Sequence, residues 1–224
     1  MNPPSGTCVL LFSGGRDSTI SAIQLSDLFE RLILVTVTSQ HLVGMDAVYR
    51  RLVELKPYLS SKTRWIHALQ PTEMPGDQLF HAATCLPCHR SYTAIGAVLA
   101  ERFKADSLAF GYTSYQSTWA EQTPYAIDCL KRTLLSRGIH LILPVYDIAS
   151  KDDAIAELKK YQLSPVALEQ KCIQQQFNIA LDQERLKEEV DLWHRALINA
   201  LAVLDEIQIE IAAEYELSDL PERG

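Results

Sequence analysis

The chain has 224 residues, 47% of them hydrophobic, which suits one globular domain with a substantial core. It carries 28 acidic against 21 basic residues, so its net charge of −7 has the wrong sign for a broad surface that binds nucleic acid. No stretch is apolar over membrane-spanning length and the first residues do not resemble a secretory signal, so the sequence predicts a cytoplasmic protein without membrane contact.

The first chemical signal is a glycine turn between a predicted strand at 7–12 and a predicted helix at 18–30. The turn reads Ser13-Gly14-Gly15-Arg16-Asp17-Ser18. Glycines permit a sharp bend, and the N–H groups of the turn then converge with the positive end of the helix dipole on one point, which suits a phosphate. The common nucleoside-triphosphate loop is excluded, because no Lys stands before a Ser or Thr after the second Gly.

Strands and helices alternate along the rest of the core. The next four predicted strands lie at 31–39, 63–69, 107–111 and 139–143. The next four predicted helices lie at 44–58, 89–104, 125–137 and 151–161. This alternation predicts an α/β fold with a doubly wound, mainly parallel, five-stranded, Rossmann-like sheet. Ligands of such folds bind beyond the carboxyl ends of the strands, so we expect the loops after the strands to form one site.

The end of the chain follows a different pattern. From Asp182 to about Leu217 there is no Gly or Pro, and apolar residues recur at steps of three and four. This spacing predicts a long amphipathic helix or a helical hairpin. The sequence therefore divides into a core domain, 1–180, and a C-terminal helical extension, 181–224. The apolar stripe of the extension either packs on the core domain or forms a homodimer interface.

Three of the five cysteines form a candidate metal site. Cys85 and Cys88 make a C-x-x-C pair before a predicted helix, and Cys172 is expected at the same sheet edge. Three thiolates can hold Zn²⁺ with a fourth ligand, for which His81 and His89 are candidates, or three irons of a [4Fe–4S] cluster. The open alternatives are a redox-active or persulfide-carrying thiol pair and cysteines that are simply buried.

The loop at 112–124 and the helix that starts at Lys151 supply two further candidates. The loop mixes aromatic and amide side chains, which suits a flat heterocycle because rings stack on its faces and amides read its edge. Glu121 is the one carboxylate of the loop and is our candidate general base or Mg²⁺ ligand. The alternative is a solvated loop with packed aromatics. Lys151 is a candidate contact for leaving pyrophosphate.

The glycine turn resembles the Ser-Gly-Gly-x-Asp-Ser signature of the PP-loop ATP pyrophosphatases. The resemblance implies an adenine nucleotide alpha hydrolase-like fold that uses ATP and Mg²⁺. It also implies that ATP is cut between its α and β phosphates to activate a substrate as its adenylate, with Asp17 as a catalytic residue. The implied ATP ligands of the turn are Ser13, Gly14, Gly15, Arg16, Asp17 and Ser18.

Within that superfamily, the order of motifs over residues 7–172 resembles the 7-cyano-7-deazaguanine synthases. Ser39-Gln40-His41 and the run from Pro144 to Lys151 stand where that family has similar motifs. The resemblance implies that Lys151 is a catalytic phosphate ligand. It also implies two residues near the adenine, Thr36 and Thr38.

The cysteine pattern instead resembles the cluster-dependent tRNA thiolases. Those proteins have a C-x-x-C before the helix that leads to the fourth strand, and a third Cys near the end of the fold. The 7-cyano-7-deazaguanine synthases cluster their zinc cysteines beyond the position of Cys172, where this chain has none. No appended tRNA-binding module is evident, and the net charge does not support tRNA as a partner.

The sequence therefore predicts an ATP-dependent adenylating enzyme that forms AMP and pyrophosphate. Its leading substrate is a heterocyclic small molecule or nucleobase, whose carboxylate or carbonyl is activated for attack by a nitrogen nucleophile. The first alternative is sulfur insertion into tRNA or a small molecule, through a Zn²⁺ or [4Fe–4S] centre on the three cysteines. The second alternative is a nucleotide-binding module without turnover.

Overall fold

The computed structural model describes residues 6–71, 84–174 and 181–220. The strands in these ranges are β1 Thr7–Leu11, β2 Arg31–Thr38, β3 Leu42–Val43, β4 Arg64–Leu69, β5 Ser107–Phe110, β6 His140–Ile142, β7 Lys171–Cys172 and β8 Glu210–Glu216. The helices are α1 Arg16–Leu28, α2 Met45–Leu55, α3 Leu86–Phe103, α4 Pro124–Leu135, α5 Lys151–Lys160 and α6 Gln183–Ala202, with short 3₁₀ turns between elements. Over the same ranges, no helix has the length and apolar character needed to cross a membrane.

The central sheet has six strands in the order β6-β5-β1-β2-β4-β8. The first five are parallel, which confirms the predicted doubly wound, mainly parallel architecture. From β1 the chain adds β2 and β4 on one side and later β5 and β6 on the other. The loops after β1 and β5 therefore diverge between neighbouring strands, which is where open α/β sheets bind ligands.

Helices cover both faces of the sheet, which explains why β1 and β2 are almost continuously apolar. Successive strand side chains point to opposite faces, so each strand contributes to two cores. Val9 and Ile33 belong to the core that α3, α4 and α6 cover. Leu10 and Leu34 belong to the core that α1, α2 and α5 cover. Because helices of the described ranges fill both faces, the loop-lined edges of the sheet are the places left for a ligand.

The end of the chain is a helix followed by a strand, so the prediction of helical structure up to Leu217 is wrong. Helix α6 ends at Ala202, and β8 pairs antiparallel with β4 as the sixth strand of the sheet. Ile207 and Ile211 lie four residues apart and fit a helix, but Ile209 between them gives the period of two that is typical of a strand. The strand forms because it supplies partners for backbone groups of β4 that would otherwise be unpaired.

The apolar stripe of α6 packs inside the chain, as one of the two alternatives predicts. Val190, Trp193 and Leu197 are fully buried in the core beneath α3 and α4. Strand β8 is held in addition by a charged pair, in which Arg64 of β4 donates to Glu214 at 2.6 Å. Residues 181–220 thus contribute a helix and an edge strand to the same fold.

A second, two-stranded sheet lies beyond the end of β2. In it β3 pairs antiparallel with β7, with Leu42 opposite Cys172. Each strand has only two residues, too few for a periodic signal in the sequence. This pairing returns the chain after α5 to the carboxyl edge of the main sheet, next to the glycine turn.

Candidate nucleotide-binding site

The turn between β1 and α1 has the geometry of an anion-binding nest. Gly14 has a φ of +81°, a left-handed conformation that favours glycine, and Gly15 is an N-cap without a side-chain capping bond. The N–H groups of the first helical turn are therefore left for a ligand or water. The Oγ of Ser13 accepts from the Gly15 N–H at 3.2 Å and lies 3.1 Å from the Oγ of Ser18. Hydroxyls and N–H groups thus meet at the positive end of a helix.

Close backbone packing fixes this turn against its neighbours. A Cβ at position 14 would lie 2.9 Å from the carbonyl oxygen of Leu168. A Cβ on Gly111, directly after β5, would lie 2.6 Å from the backbone nitrogen of Ser18. Glycine at these positions lets the loop after β5 and the segment before β7 approach the turn to contact distance.

A cavity of about 380 Å³ opens beside the turn, a size that suits a small ligand. Its walls come from the turn itself, the end of β2, the first turns of α3, the loop after β5 and the segment before β7. The charged side chains that line it are Arg16, Asp17 and Glu169. Of the loops after the strands, those after β1, β2 and β5 contribute to this lining, whereas the loop after β6 and the described residues of the loop after β4 do not.

Asp17 is fixed by side chains of the loop after β5. The hydroxyl of Tyr115 lies 3.0 and 2.9 Å from the two carboxylate oxygens, and Gln116 Nε2 donates to one of them at 2.9 Å. Burial raises the pKa of Asp17, whereas the bond from Tyr115 and the charge of Arg16 lower it and Glu169 raises it. Burial and the neighbouring Asp17 raise the pKa of Tyr115 to about 12, so the phenol keeps the proton that it donates.

Residues 164–170, here called the strap, cross the turn and close one side of the cavity. Arg51 of α2 is fully buried and anchors the strap. Its guanidinium donates to the carbonyl oxygens of Ser164 at 2.9 Å and Val166 at 2.6 Å, and to that of Gly14 at 3.4 Å. One buried cation therefore ties the strap to the glycine turn.

The end of β2 forms another wall of the cavity. Thr36 lines the cavity, but its hydroxyl is engaged, because it donates to the carbonyl oxygen of Phe12 at 2.8 Å and accepts from Trp65 Nε1 at 3.0 Å. Thr38 is not among the lining residues and donates to Gln170 Oε1 at 2.8 Å. Of the two residues predicted near the adenine, Thr36 thus lines the cavity itself. Thr38 does not, but it bonds to Gln170, which does.

His89, Tyr92, Phe110 and Tyr112 form an aromatic wall. The ring centroid of His89 lies 5.5 Å from that of Tyr92 and 5.6 Å from that of Tyr112, and His89 Nδ1 is 2.6 Å from the Tyr112 hydroxyl. Behind this wall Glu121 is only 3% exposed, with Oε1 at 3.6 Å from His89 Nε2. Burial lowers the pKa of His89, and the charge of Glu121 opposes that shift. The candidate general base does not line the cavity and stands one side chain away from it.

The three cysteines predicted as metal ligands lie near one another next to the aromatic wall. Burial, followed by the nearby Glu121, Cys88 and Cys172, raises the pKa of Cys85 to about 12. Cys88 Sγ lies 3.5 Å from Nε2 of His41, which immediately precedes β3. The donor types suit Zn²⁺ or an iron–sulfur cluster. As arranged, however, no three His, Cys, Asp or Glu side chains of the described ranges are close enough to hold one metal ion.

The remaining predicted residues have different positions. Lys151 begins α5, is exposed, and is not among the residues that line the cavity. Arg16 does line the cavity, and its Nε donates to the backbone of the strap at 2.8 Å. His81, a candidate fourth metal ligand, lies outside the described residues. His89, the other candidate, contacts Tyr112.

Two important contacts were not predicted. Arg51 lies beside Leu52 on the buried face of α2. An Arg on an apolar helix face indicates a structural contact, because its buried charge needs hydrogen-bond partners. Gln170 had no signal except its place two residues before Cys172. Its role depends on long-range contacts with β2, which periodicity does not reveal.

Comparison with known proteins identifies the fold. No protein-family model matches the chain, and no curated protein sequence matches it. A 4-thiouridine synthetase solved with RNA and bound ATP matches with a TM-score of 0.63 and 17% identity, over 92% of this chain and 55% of that one. The U34-tRNA thiolase NcsA from Methanococcus maripaludis, solved with its [4Fe-4S] cluster, matches with a TM-score of 0.54 and 16% identity, over 92% and 74% of the two chains. The chain spans little more than half the length of the first of these proteins.

The chain therefore shares the fold of these two proteins, the adenine nucleotide alpha hydrolase-like fold that the resemblance of the glycine turn implies. At sequence identities of 16 and 17%, these structural matches establish the fold and say nothing of the function. The narrower resemblance to the 7-cyano-7-deazaguanine synthases stays a prediction. Function has to be inferred from the site.

Proposed function

We propose that the chain binds ATP in the cavity and cleaves it between the α and β phosphates. The observation that carries this proposal is the start of α1, where Gly15 leaves the first N–H groups without a side-chain cap beside the cavity. Ser13 and Ser18 add hydroxyl groups at the same point. Such a nest suits the pyrophosphate that the reaction releases. The bound ATP of the 4-thiouridine synthetase, which shares the fold, supports the choice of nucleotide.

In the proposed reaction an oxygen of the acceptor attacks the α-phosphorus, and the bond from that phosphorus to the bridging oxygen breaks. Pyrophosphate leaves with the bonding electrons into the nest. A nucleophile then attacks the activated carbon, and AMP leaves with the acceptor oxygen. Mg²⁺, when bound, neutralises charge on the phosphates. Arg16 and the helix start add positive potential, and Lys151 at the start of α5 is proposed as a further cation for the leaving group.

The aromatic wall favours a flat acceptor. His89, Tyr92 and Tyr112 present rings to the same cavity as the glycine turn, and aromatic rings stack on heterocycles. We therefore propose a heterocyclic small molecule or nucleobase, with a carbonyl or carboxylate oxygen that is adenylated and a nitrogen nucleophile that displaces AMP. Glu121, next to His89, is proposed as the group that accepts a proton from the nucleophile through this wall.

Nucleotide binding and product identity test this proposal. Calorimetric titration with Mg²⁺–ATP should give saturable binding that is lost in Ser13→Ala and Asp17→Asn. Asp128→Asn is the matched control, because Asp128 is an exposed residue of α4. ATP labelled at the α-phosphate, incubated with a small-molecule extract, should yield AMP and pyrophosphate. ADP as the labelled product would contradict the proposal, and binding without any cleavage would indicate a nucleotide-binding module.

A second candidate is sulfur insertion, which one observation favours. Cys85, Cys88 and Cys172 lie near one another next to Tyr92, which lines the cavity. The two solved structures described above with the same fold are a 4-thiouridine synthetase and a tRNA thiolase. The acceptor oxygen would then be replaced by sulfur instead of nitrogen.

Metal and sulfur analysis of anaerobically purified protein separates the two candidates. Bound iron with absorbance near 400 nm, lost in Cys172→Ala but kept in Cys129→Ala, would support sulfur insertion. Cys129 is the matched control because it is buried in the core under α4. Protein without iron or persulfide that still forms AMP would favour the nitrogen nucleophile.

A further inference from the structure

The side-chain amide of Gln170 is held in one orientation at the edge of the cavity. Its Nε2 donates to the carbonyl oxygen of Val37 at 3.0 Å, and its Oε1 accepts from the Thr38 hydroxyl at 2.8 Å. A carbonyl oxygen can only accept, so the NH₂ end of the amide has to face Val37. Thr38 gives its single hydrogen to Gln170, so the 2.8 Å contact from His67 Nε2 to Thr38 places a hydrogen on that ring nitrogen.

This network leaves Gln170 with a defined hydrogen-bonding edge. An amide nitrogen has two hydrogens and an amide oxygen has two lone pairs, and the protein uses one of each. One hydrogen on the amide nitrogen and one lone pair on the amide oxygen remain unused, the hydrogen at the end that faces Val37 and the lone pair at the end that faces Thr38. Gln170 lines the cavity, which places the residue beside a ligand bound there.

The surroundings of Gln170 suit a purine base. Val37 and Leu42 line the cavity with apolar side chains. Gln170 ends the strap, which Arg51 ties to the glycine turn through carbonyl oxygens of both segments. Gln170 and the nest that suits the phosphates are therefore held in one framework.

We propose that Gln170 reads the base of the bound nucleotide and selects adenine over a 6-oxopurine. The inference rests on the proposed function, because it requires a nucleotide in this cavity. Glutamine pairs with adenine through the N6 amino group and an adjacent ring nitrogen. A base with oxygen at position 6 and hydrogen on N1 places its O6 against the amide oxygen and its N1–H against the amide N–H. Both hydrogen bonds are then lost, which weakens binding.

Titration with Mg²⁺–ATP and Mg²⁺–ITP tests this inference, because the two bases differ only at positions 6 and 1. The wild-type chain should bind ATP at least about tenfold more tightly than ITP. Gln170→Ala should bring the ratio close to one, mainly through weaker ATP binding. Should this variant lose its fold by circular dichroism, Gln170→Met keeps the length of the side chain without its polar atoms.

A strap that merely loosens would change both affinities equally, so the ratio is the decisive quantity. Arg51→Lys is the matched control, because it weakens the anchor of the strap and leaves the amide in place. We expect this variant to keep the ATP to ITP ratio of the wild-type chain. If Gln170→Ala still binds ATP with the wild-type ratio of ATP to ITP affinity, the inference is overturned. Gln170 would then serve only to attach the strap to β2. Wild-type protein that binds neither nucleotide would instead refute the proposed function.

Discussion

Tyr115 holds Asp17 by placing its hydroxyl 2.9 and 3.0 Å from the two oxygens of that carboxylate. The two residues come from different crossovers of the sheet, Asp17 from the turn after β1 and Tyr115 from the loop after β5. The contact therefore joins the two loops that flank the position where the strand order reverses. It also opposes the increase in the pKa of Asp17 that burial causes.

Tyr115→Phe should shift the pH dependence of the reaction. Loss of the hydrogen bond raises the pKa of Asp17 further, because the carboxylate loses a donor that favours its charged form. Activity that needs ionised Asp17 is lost as the pH falls through its pKa, so the acid limb of AMP formation should move to higher pH, by up to about one unit. Tyr125→Phe is the control, since it removes a similar bond to Asp191 on the surface. An acid limb that stays in place would show that Asp17 does not control it.

Gly111→Ala should impair nucleotide binding through the backbone of the turn. The new Cβ would lie 2.6 Å from the nitrogen and 2.8 Å from the Cα of Ser18, and backbone atoms cannot rotate away. We expect the start of α1 to move, a loss of about 1–3 kcal/mol in the free energy of unfolding, and strongly reduced ATP affinity.

Gly96→Ala is the control for this substitution, because it adds the same methyl group at a glycine away from the cavity. Its Cβ would lie 2.8 Å from a side-chain carbon of Leu108, inside the core and not in the lining of the cavity. We expect a smaller loss of stability, because the Leu108 side chain can turn away and Ala favours a helix more than Gly does, with ATP affinity intact. Equal loss of ATP affinity in both variants would indicate general destabilisation instead of a local change in the nest.

Local signals in the sequence predicted most of the core fold. Apolar runs gave the five parallel strands, and the turn Ser13–Ser18 identified the edge at which the cavity opens. Strand β8 was missed because Ile207 and Ile211 fit the helix period as well as the strand period. Only the presence of β4 beside it, a long-range contact, decides between the two.

The sequence predicts the place of the candidate site in the fold, but it does not predict which side chains bond to one another there. The aromatic and amide side chains of the loop at 112–124 suggest a site for a heterocycle, but two of them, Tyr115 and Gln116, bond to Asp17 in the structure. Gln170 and Arg51 were missed, because the partners of Gln170 on β2 and those of Arg51 on the strap lie more than a hundred residues away along the chain. A sequence pattern identifies which residues reach the edge of the sheet, whereas hydrogen-bond pairing across that edge depends on the folded backbone.

Trp193→Ala tests whether the end of the chain is an integral part of the fold. The indole is fully buried in the core shared with α3 and α4, so its removal should lower the free energy of unfolding by about 3–5 kcal/mol. Ile198→Ala, on the exposed side of the same helix at 47% exposure, should cost less than about 1 kcal/mol. Urea unfolding followed by circular dichroism should show one transition that moves as a whole. A core transition that stays in place while α6 melts separately would support an independent extension at 181–224.

Glu121→Gln should separate nucleotide binding from turnover. The carboxyl group stands behind His89 and does not line the cavity, so we expect ATP affinity within about twofold of the wild-type value, a change well below the cost of a lost charged hydrogen bond. The rate of AMP formation with acceptor should fall by about 10²-fold or more, because the amide cannot take up a proton from the nucleophile. Calorimetry and product analysis on the same preparation measure both quantities. Weaker Mg²⁺–ATP binding would assign Glu121 to the metal that accompanies the nucleotide, and an unchanged rate would remove it from the reaction altogether.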